Sequence, residues 1–149
     1  MMPKVNFKKR PRTDFIVVHC AATKPTMDIG VREIRQWHVG QGWLDVGYHF
    51  VIRRNGTVED GRPHDVIGSH VKDYNSRALG ICLVGGINAE GKPENNFTKE
   101  QFDSLRLLLI ATKRQYPEAS IVGHRDLDSG KACPSFEVKE WVNATCPKP

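Results

Sequence analysis

His19, His124 and Cys133 are the residues of this 149-residue chain whose types and placement could do chemistry. Each histidine falls at the C-terminal end of an apolar run that reads as a strand, "FIVVHCAAT" for His19 and "ASIVGH" for His124. Open αβ sheets place their ligand crevices at such strand ends. Cys133 lies in "GHRDLDSGKACPSF", a stretch too rich in Gly, Asp and Ser to be core. Two imidazoles and a thiolate are borderline-soft donors suited to Zn2+, and three protein ligands leave a fourth position for water, as in a catalytic zinc site. The spacing matches no compact zinc motif, so on spacing alone a hydrogen-bonded structural role for His19 stays open.

Neighbouring residues are assigned by direction and surroundings. Adjacent strand residues point to opposite faces, so His19 and Cys20 cannot both reach one site without a bulge. Cys20 and Cys82, in apolar runs, are expected in the core. Cys146 sits in a polar tail and is expected to be exposed, while His38 and His64 are assigned structural or solvated roles.

These residues need a scaffold to hold them. "FIVVHCAAT" predicts a central strand ending near His19, and "ALGICLVGG" a second one buried on both faces because it lacks alternation. "GVREIRQWHVGQG" carries Val31, Ile34 and Trp37 or His38 at helical spacing before two glycines, which predicts a helix against one face. In "YHFVIRRNGTVED", Asn55-Gly56 between β-rich flanks predicts a hairpin, since both residues tolerate positive φ. "FTKEQFDSLRLLLIATKRQYP" predicts the longest helix: a capping box of Thr98 and Gln101, a stripe of Phe102, Leu105, Leu109 and Thr112, and a stop at Pro117. "FEVKEWVNA" predicts a last helix. The sum is an α/β fold, a mixed sheet of about five strands with helices on both faces in a single domain.

Bulk properties agree. With 39% hydrophobic and 26% charged residues the chain is expected to be folded and soluble. No run approaches the ~18 apolar residues of a membrane span, and the N-terminus lacks the apolar stretch of a secretory signal, so a cytoplasmic protein with free thiols or metal-ligating cysteines is expected. The formal charge of +5 is concentrated in "KKRPR", read as a solvated basic arm over residues 1–12 ahead of a domain over 13–149. Such charge suits an anionic partner. Direct nucleic-acid binding has only this charge in its favour, without interleaved aromatics or a recognised motif.

Taken in order, "IVVHCAAT", "VREIRQWH", "QGWLDVGYHFVIRRNGTVEDGR", "GSHVKDYN", "LGICLVGG" and "KACPSF" resemble the zinc-dependent N-acetylmuramoyl-L-alanine amidases, and among them the endolysins of T-seven-class bacteriophages. The resemblance runs from about Val5 to Trp141. It implies zinc held by His19, His124 and Cys133, with Tyr48 and Lys131 as catalytic groups that stabilise an oxyanion. It implies His70 on the substrate groove, with Asn75 near it. The implied reaction is metal-assisted hydrolysis of the amide between N-acetylmuramic acid and L-alanine in peptidoglycan, for host lysis, by a monomer with no membrane or direct nucleic-acid partner. It also implies inhibition of the phage's single-subunit RNA polymerase through a surface away from the zinc crevice, for which the cationic segment "FKKRPR" is the candidate on its charge. One departure stands out: "RDLDSG", between His124 and Lys131, is a residue longer than in the phage endolysin it most resembles, which bears on where Lys131 aims. A non-catalytic peptidoglycan-binding module is the alternative, and the presence of Cys133 argues against it.

Overall fold

In the computed structural model residues 6–145 are described. Five strands, β1 (Phe15–Cys20), β2 (Phe50–Ile52), β3 (Val58–Asp60), β4 (Ala78–Leu83) and β5 (Ser120–Gly123), form one sheet in the order β3-β2-β4-β1-β5. β1 runs parallel to both β4 and β5, and β2 parallel to β4; among the described strands β2 and β3 form the one antiparallel pair. Among the described residues, four α-helices accompany the sheet: α1 (Val31–Gly40), α2 (Lys99–Gln115), α3 (His124–Leu127) and α4 (Val138–Thr145).

Strand alternation divides the core. Ile16 and Val18 of β1 and Leu79, Ile81 and Leu83 of β4 pack with Leu105 and Leu109 of α2 and Val138 of α4. Full burial of each such leucine contributes about 1.5–3 kcal/mol. On the opposite face Val51 and Cys82 meet Ile34 of α1. His19 faces this second side with Val17, because residues two apart share a face. The expected stripe on α1 is narrower than the spacing predicts: Ile34 is buried, whereas Trp37 is 43% exposed.

The α2 capping box forms as expected, with Thr98 accepting from the Gln101 backbone. Gln101 itself is fully buried, and its side-chain amide donates to the carbonyls of Ile52 and Val84 at 3.1 and 2.8 Å, tying α2 to two strand ends. The hairpin forms, but not by a two-residue turn. Ile52 pairs with Val58, and within the intervening loop Gly56 has a positive φ of 89° while Asn55 does not.

The basic segment is not detached from the body. Arg10 donates its backbone N–H to the Asp65 carbonyl, Ile67 donates to the Lys8 carbonyl, and the Arg10 guanidinium donates to the Val66 carbonyl at 2.9 Å. Backbone pairing pins Lys8 to Arg10, while the Lys8 and Lys9 side chains remain exposed. Cys146 lies outside the described residues.

Candidate metal centre

Parallel pairing of β1 with β5 aligns Val18 with Gly123, which sets the next residues, His19 and His124, side by side at the same sheet edge. Their Nδ1 atoms are 3.2 Å apart. The chain then makes one turn of α3 and a tight turn in which Lys131 donates its backbone N–H to the Asp128 carbonyl at 3.0 Å. Arg125 donates its backbone N–H to the Cys133 carbonyl at 2.9 Å, and its side chain pairs with Glu137 at 2.9 Å, so the returning strand of the loop is fastened to α3.

Ligand atoms of His19, His124 and Cys133 all lie within 4.8 Å of one another. Cys133 Sγ also accepts the backbone N–H of Cys20 at 3.0 Å, which by itself favours a charged sulfur. The neighbouring Cys20 thiol and burial nevertheless push the Cys133 thiol well above its usual pKa, so a bound cation is what would hold it deprotonated. Burial, and behind it the neighbouring His70 and His124 rings, pushes the His19 imidazole well below its usual pKa; burial also lowers that of His124, with Lys131 adding to the effect and Asp128 opposing it. Both rings are therefore neutral at pH 7, with lone pairs free to ligate. Two imidazole nitrogens and a sulfur converging from three chain segments fit zinc as the donor set, with room in its coordination for a further ligand.

Tyr48 stands against this cluster, its ring centroid 5.1 Å from that of His19. Burial raises its phenol pKa well above the usual value, so the hydroxyl is a neutral donor. His38 also lies against the tyrosine at 5.5 Å, meets the Trp43 ring at 4.5 Å with the planes tilted by 56°, and accepts the Gly47 backbone N–H through Nδ1 at 2.8 Å. Lys131 is exposed at the rim, near enough for its charge to act on His124.

His70 and Asn75, which the resemblance associates with the substrate groove, are both tied into the fold beside His19. His70 is only 9% exposed, with Nδ1 2.8 Å from His19 Nε2 and Nε2 3.2 Å from the Ala78 carbonyl. Asn75 Oδ1 accepts the backbone N–H groups of both His70 and Val71 at 2.8 Å, holding the loop that carries the histidine. Cys20 and Cys82 are buried as expected, but the sequence offers no sign that the Cys20 backbone would serve Cys133.

His49 is a residue the sequence reading passed over. It is fully buried, accepts the Gly80 backbone N–H at Nδ1 (2.9 Å) and meets the Val66 carbonyl at Nε2 (2.8 Å), which requires the neutral ring protonated at Nε2. Burial lowers its pKa to about 4, the charges of Arg10, Arg62 and His64 act in the same direction, and the bond to Val66 opposes them. Its ring also lies 5.7 Å from that of His70. The folded state resists protonation that the unfolded chain accepts near pH ~6.5. Stability from this residue is therefore complete above that pH and is lost as pH falls toward 4, by about 3 kcal/mol. Denaturant titrations at about pH 7 and about pH 4.5 should show this loss shrinking in His49→Gln relative to the parent; an unchanged pH dependence would contradict the assignment.

A family described as N-acetylmuramoyl-L-alanine amidase matches residues 9–136. The chain is 62% identical over 140 residues to the endolysin of Klebsiella phage KP32, spanning 94% of this chain and 92% of that relative. It is 55% identical to the endolysin of Escherichia phage T7, again over 94% and 92% of the two chains. Among solved structures, the N-acetylmuramoyl-L-alanine amidase LysC from Clostridium intestinale superposes with a TM-score of 0.77 at 29% identity, covering 96% of this chain and 97% of that one.

Proposed function

The chain belongs to the N-acetylmuramoyl-L-alanine amidase family, and on that premise we propose that it is a phage endolysin whose single domain, residues 13–149, hydrolyses the amide between N-acetylmuramic acid and L-alanine in peptidoglycan. The observation that carries this reading is the convergence of His19, His124 and Cys133 within 4.8 Å from three separate segments. Those three residues would hold one zinc ion, which supplies a Lewis acid able to lower the pKa of water and polarise a carbonyl.

The chain's own residues do the rest. His19 and His124 stay neutral through burial, and the Cys20 N–H would help to steady the thiolate that Cys133 becomes on binding zinc. Tyr48 presents a neutral O–H beside the trio and donates to the amide oxygen as negative charge develops on it. Lys131 brings a positive charge to the rim of the same crevice, where it attracts that oxyanion. The enzyme acts as a monomer, made in the host cytoplasm and reaching the wall once the membrane is breached. Among the described residues no helix is long and apolar enough to cross a membrane.

Removal of metal tests the zinc requirement. Chloroform-treated Gram-negative cells should clear when the purified protein is added, stop clearing after a strong chelator, and clear again when zinc is restored. Equal clearing with and without chelator would overturn the zinc reading.

The proposed second partner is the phage's single-subunit RNA polymerase, supported by the exposed basic side chains of Lys8 and Lys9 and the chain's net charge of +5. Because Lys8 to Arg10 are pinned by backbone pairing, charge reversal tests this better than truncation. Lys8→Glu with Lys9→Glu should weaken inhibition of the cognate polymerase at low salt and leave wall hydrolysis intact. Unchanged inhibition would remove the basic segment from that role.

A further inference from the structure

We propose that His70 is a positioning residue for the metal centre: it fixes the proton of His19 on Nε2 and so directs the His19 Nδ1 lone pair at His124 and Cys133. This rests on the proposal that the trio holds zinc. The Ala78 carbonyl can only accept, so at 3.2 Å it requires the proton of a neutral His70 to be on Nε2. His70 Nδ1 is then an acceptor, and its neighbour His19 Nε2, 2.8 Å away, must be the donor. A neutral His19 that donates from Nε2 has no proton on Nδ1, and that nitrogen lies 3.2 Å from His124 Nδ1. The chain of bonds thus begins on a backbone carbonyl of β4 and ends by aiming a ligand.

The supporting geometry is tight. A Cβ at Gly80 would lie 2.8 Å from both Cγ and Nδ1 of His70, so the ring rests directly on the β4 backbone and only glycine leaves space for it. The His19 and His70 ring planes stand at 84° with centroids 4.8 Å apart, and the 2.8 Å separation of Nε2 and Nδ1 sets one nitrogen of each against the other. Asn75 clamps the backbone of His70 from the opposite side. Outer partners of metal-ligating histidines typically contribute 10–100-fold in metal affinity, roughly the scale expected here.

The test compares zinc affinity, by chelator competition, in the full chain and two variants. His70→Phe removes the acceptor while keeping bulk, and should weaken zinc binding by about 10–100-fold. His70→Asn returns a carbonyl oxygen near the place of Nδ1, and should recover affinity to within about threefold of the parent. In the zinc-loaded parent, NMR should detect a coupling across the hydrogen bond between His19 Nε2 and His70 Nδ1, with the proton on His19. Equal affinity in parent and Phe variant, equal loss in Phe and Asn, or a proton on His70 Nδ1 would each overturn the proposal. The NMR arm stands even if a variant fails to fold. Failure of the parent to bind zinc at all would instead overturn the reading of the trio.

Discussion

Replacing Cys133 with serine should leave a folded protein that carries almost no zinc and hydrolyses cell wall only at the background rate. Serine preserves the shape of the side chain and its position at the end of the fastened loop, where Arg125 still donates to the residue 133 carbonyl. What it removes is the soft, anionic donor. A neutral hydroxyl is a poor ligand beside two imidazoles, and with three protein ligands there is no reserve. The Cys20 N–H that favours negative charge on the sulfur would face an uncharged oxygen. Metal analysis of the purified variant should fall from about one zinc per chain to near none, with far-UV circular dichroism unchanged. A variant that retains zinc and clears cells at the parent rate would mean that Cys133 is not a ligand.

The second large effect separates chemistry from metal binding. Tyr48→Phe deletes one oxygen atom and keeps the ring packed between His19 and His38, at 5.1 and 5.5 Å. Zinc content should therefore stay at the parent level while the rate falls by on the order of 100-fold or more, the usual cost of losing one donor to a developing oxyanion. Lys131→Ala should behave alike, because the exposed side chain supports no core contact and its contribution is charge. Arg125 is the nearest cation on α3 that could replace it, but its guanidinium is engaged with Glu137 at 2.9 Å. The measurement is initial rate alongside zinc content for each variant. Loss of zinc in Tyr48→Phe would assign the phenol to holding the site together, and a near-parent rate would remove it from catalysis.

The parts of this protein that were legible in the sequence are those governed by periodicity and chain direction. Apolar runs placed β1, β4 and β5, and strand ends placed His19 and His124 where parallel pairing brings them together. The Thr98 capping box marked the start of α2 to the residue. Resemblance then singled out Tyr48 and Lys131, which periodicity alone leaves as an ordinary strand aromatic and an ordinary loop lysine.

What the sequence did not reveal depends on atoms meeting across long chain separations. The Cys20 backbone N–H reaches Cys133 only because β1 ends beside the loop after α3, a contact with no local signal. His49 looks like a polar interruption of "YHFVI", yet it is fully buried because the Gly80 N–H and the Val66 carbonyl satisfy both ring nitrogens. His70 reads as a turn residue in "GSHVKDYN", and only the fold shows its ring lying on the Gly80 backbone. Charge density in "KKRPR" suggested a solvated arm, but composition cannot register the backbone bonds to Asp65 and Ile67 that pin it. Asn55-Gly56 announced the hairpin but not its loop length, since Ile52 pairs with Val58 and only the glycine of the two is left-handed.

Mass spectrometry of the soluble products from purified peptidoglycan tests the central claim most directly. The proposed amidase should release stem peptides with a free N-terminal L-alanine and leave glycan strands whose N-acetylmuramic acid keeps an intact lactyl carboxylate, with all release stopped by a strong chelator. Products with new reducing sugar ends and peptides still attached to muramic acid would show cleavage of the glycan instead, and would contradict the account.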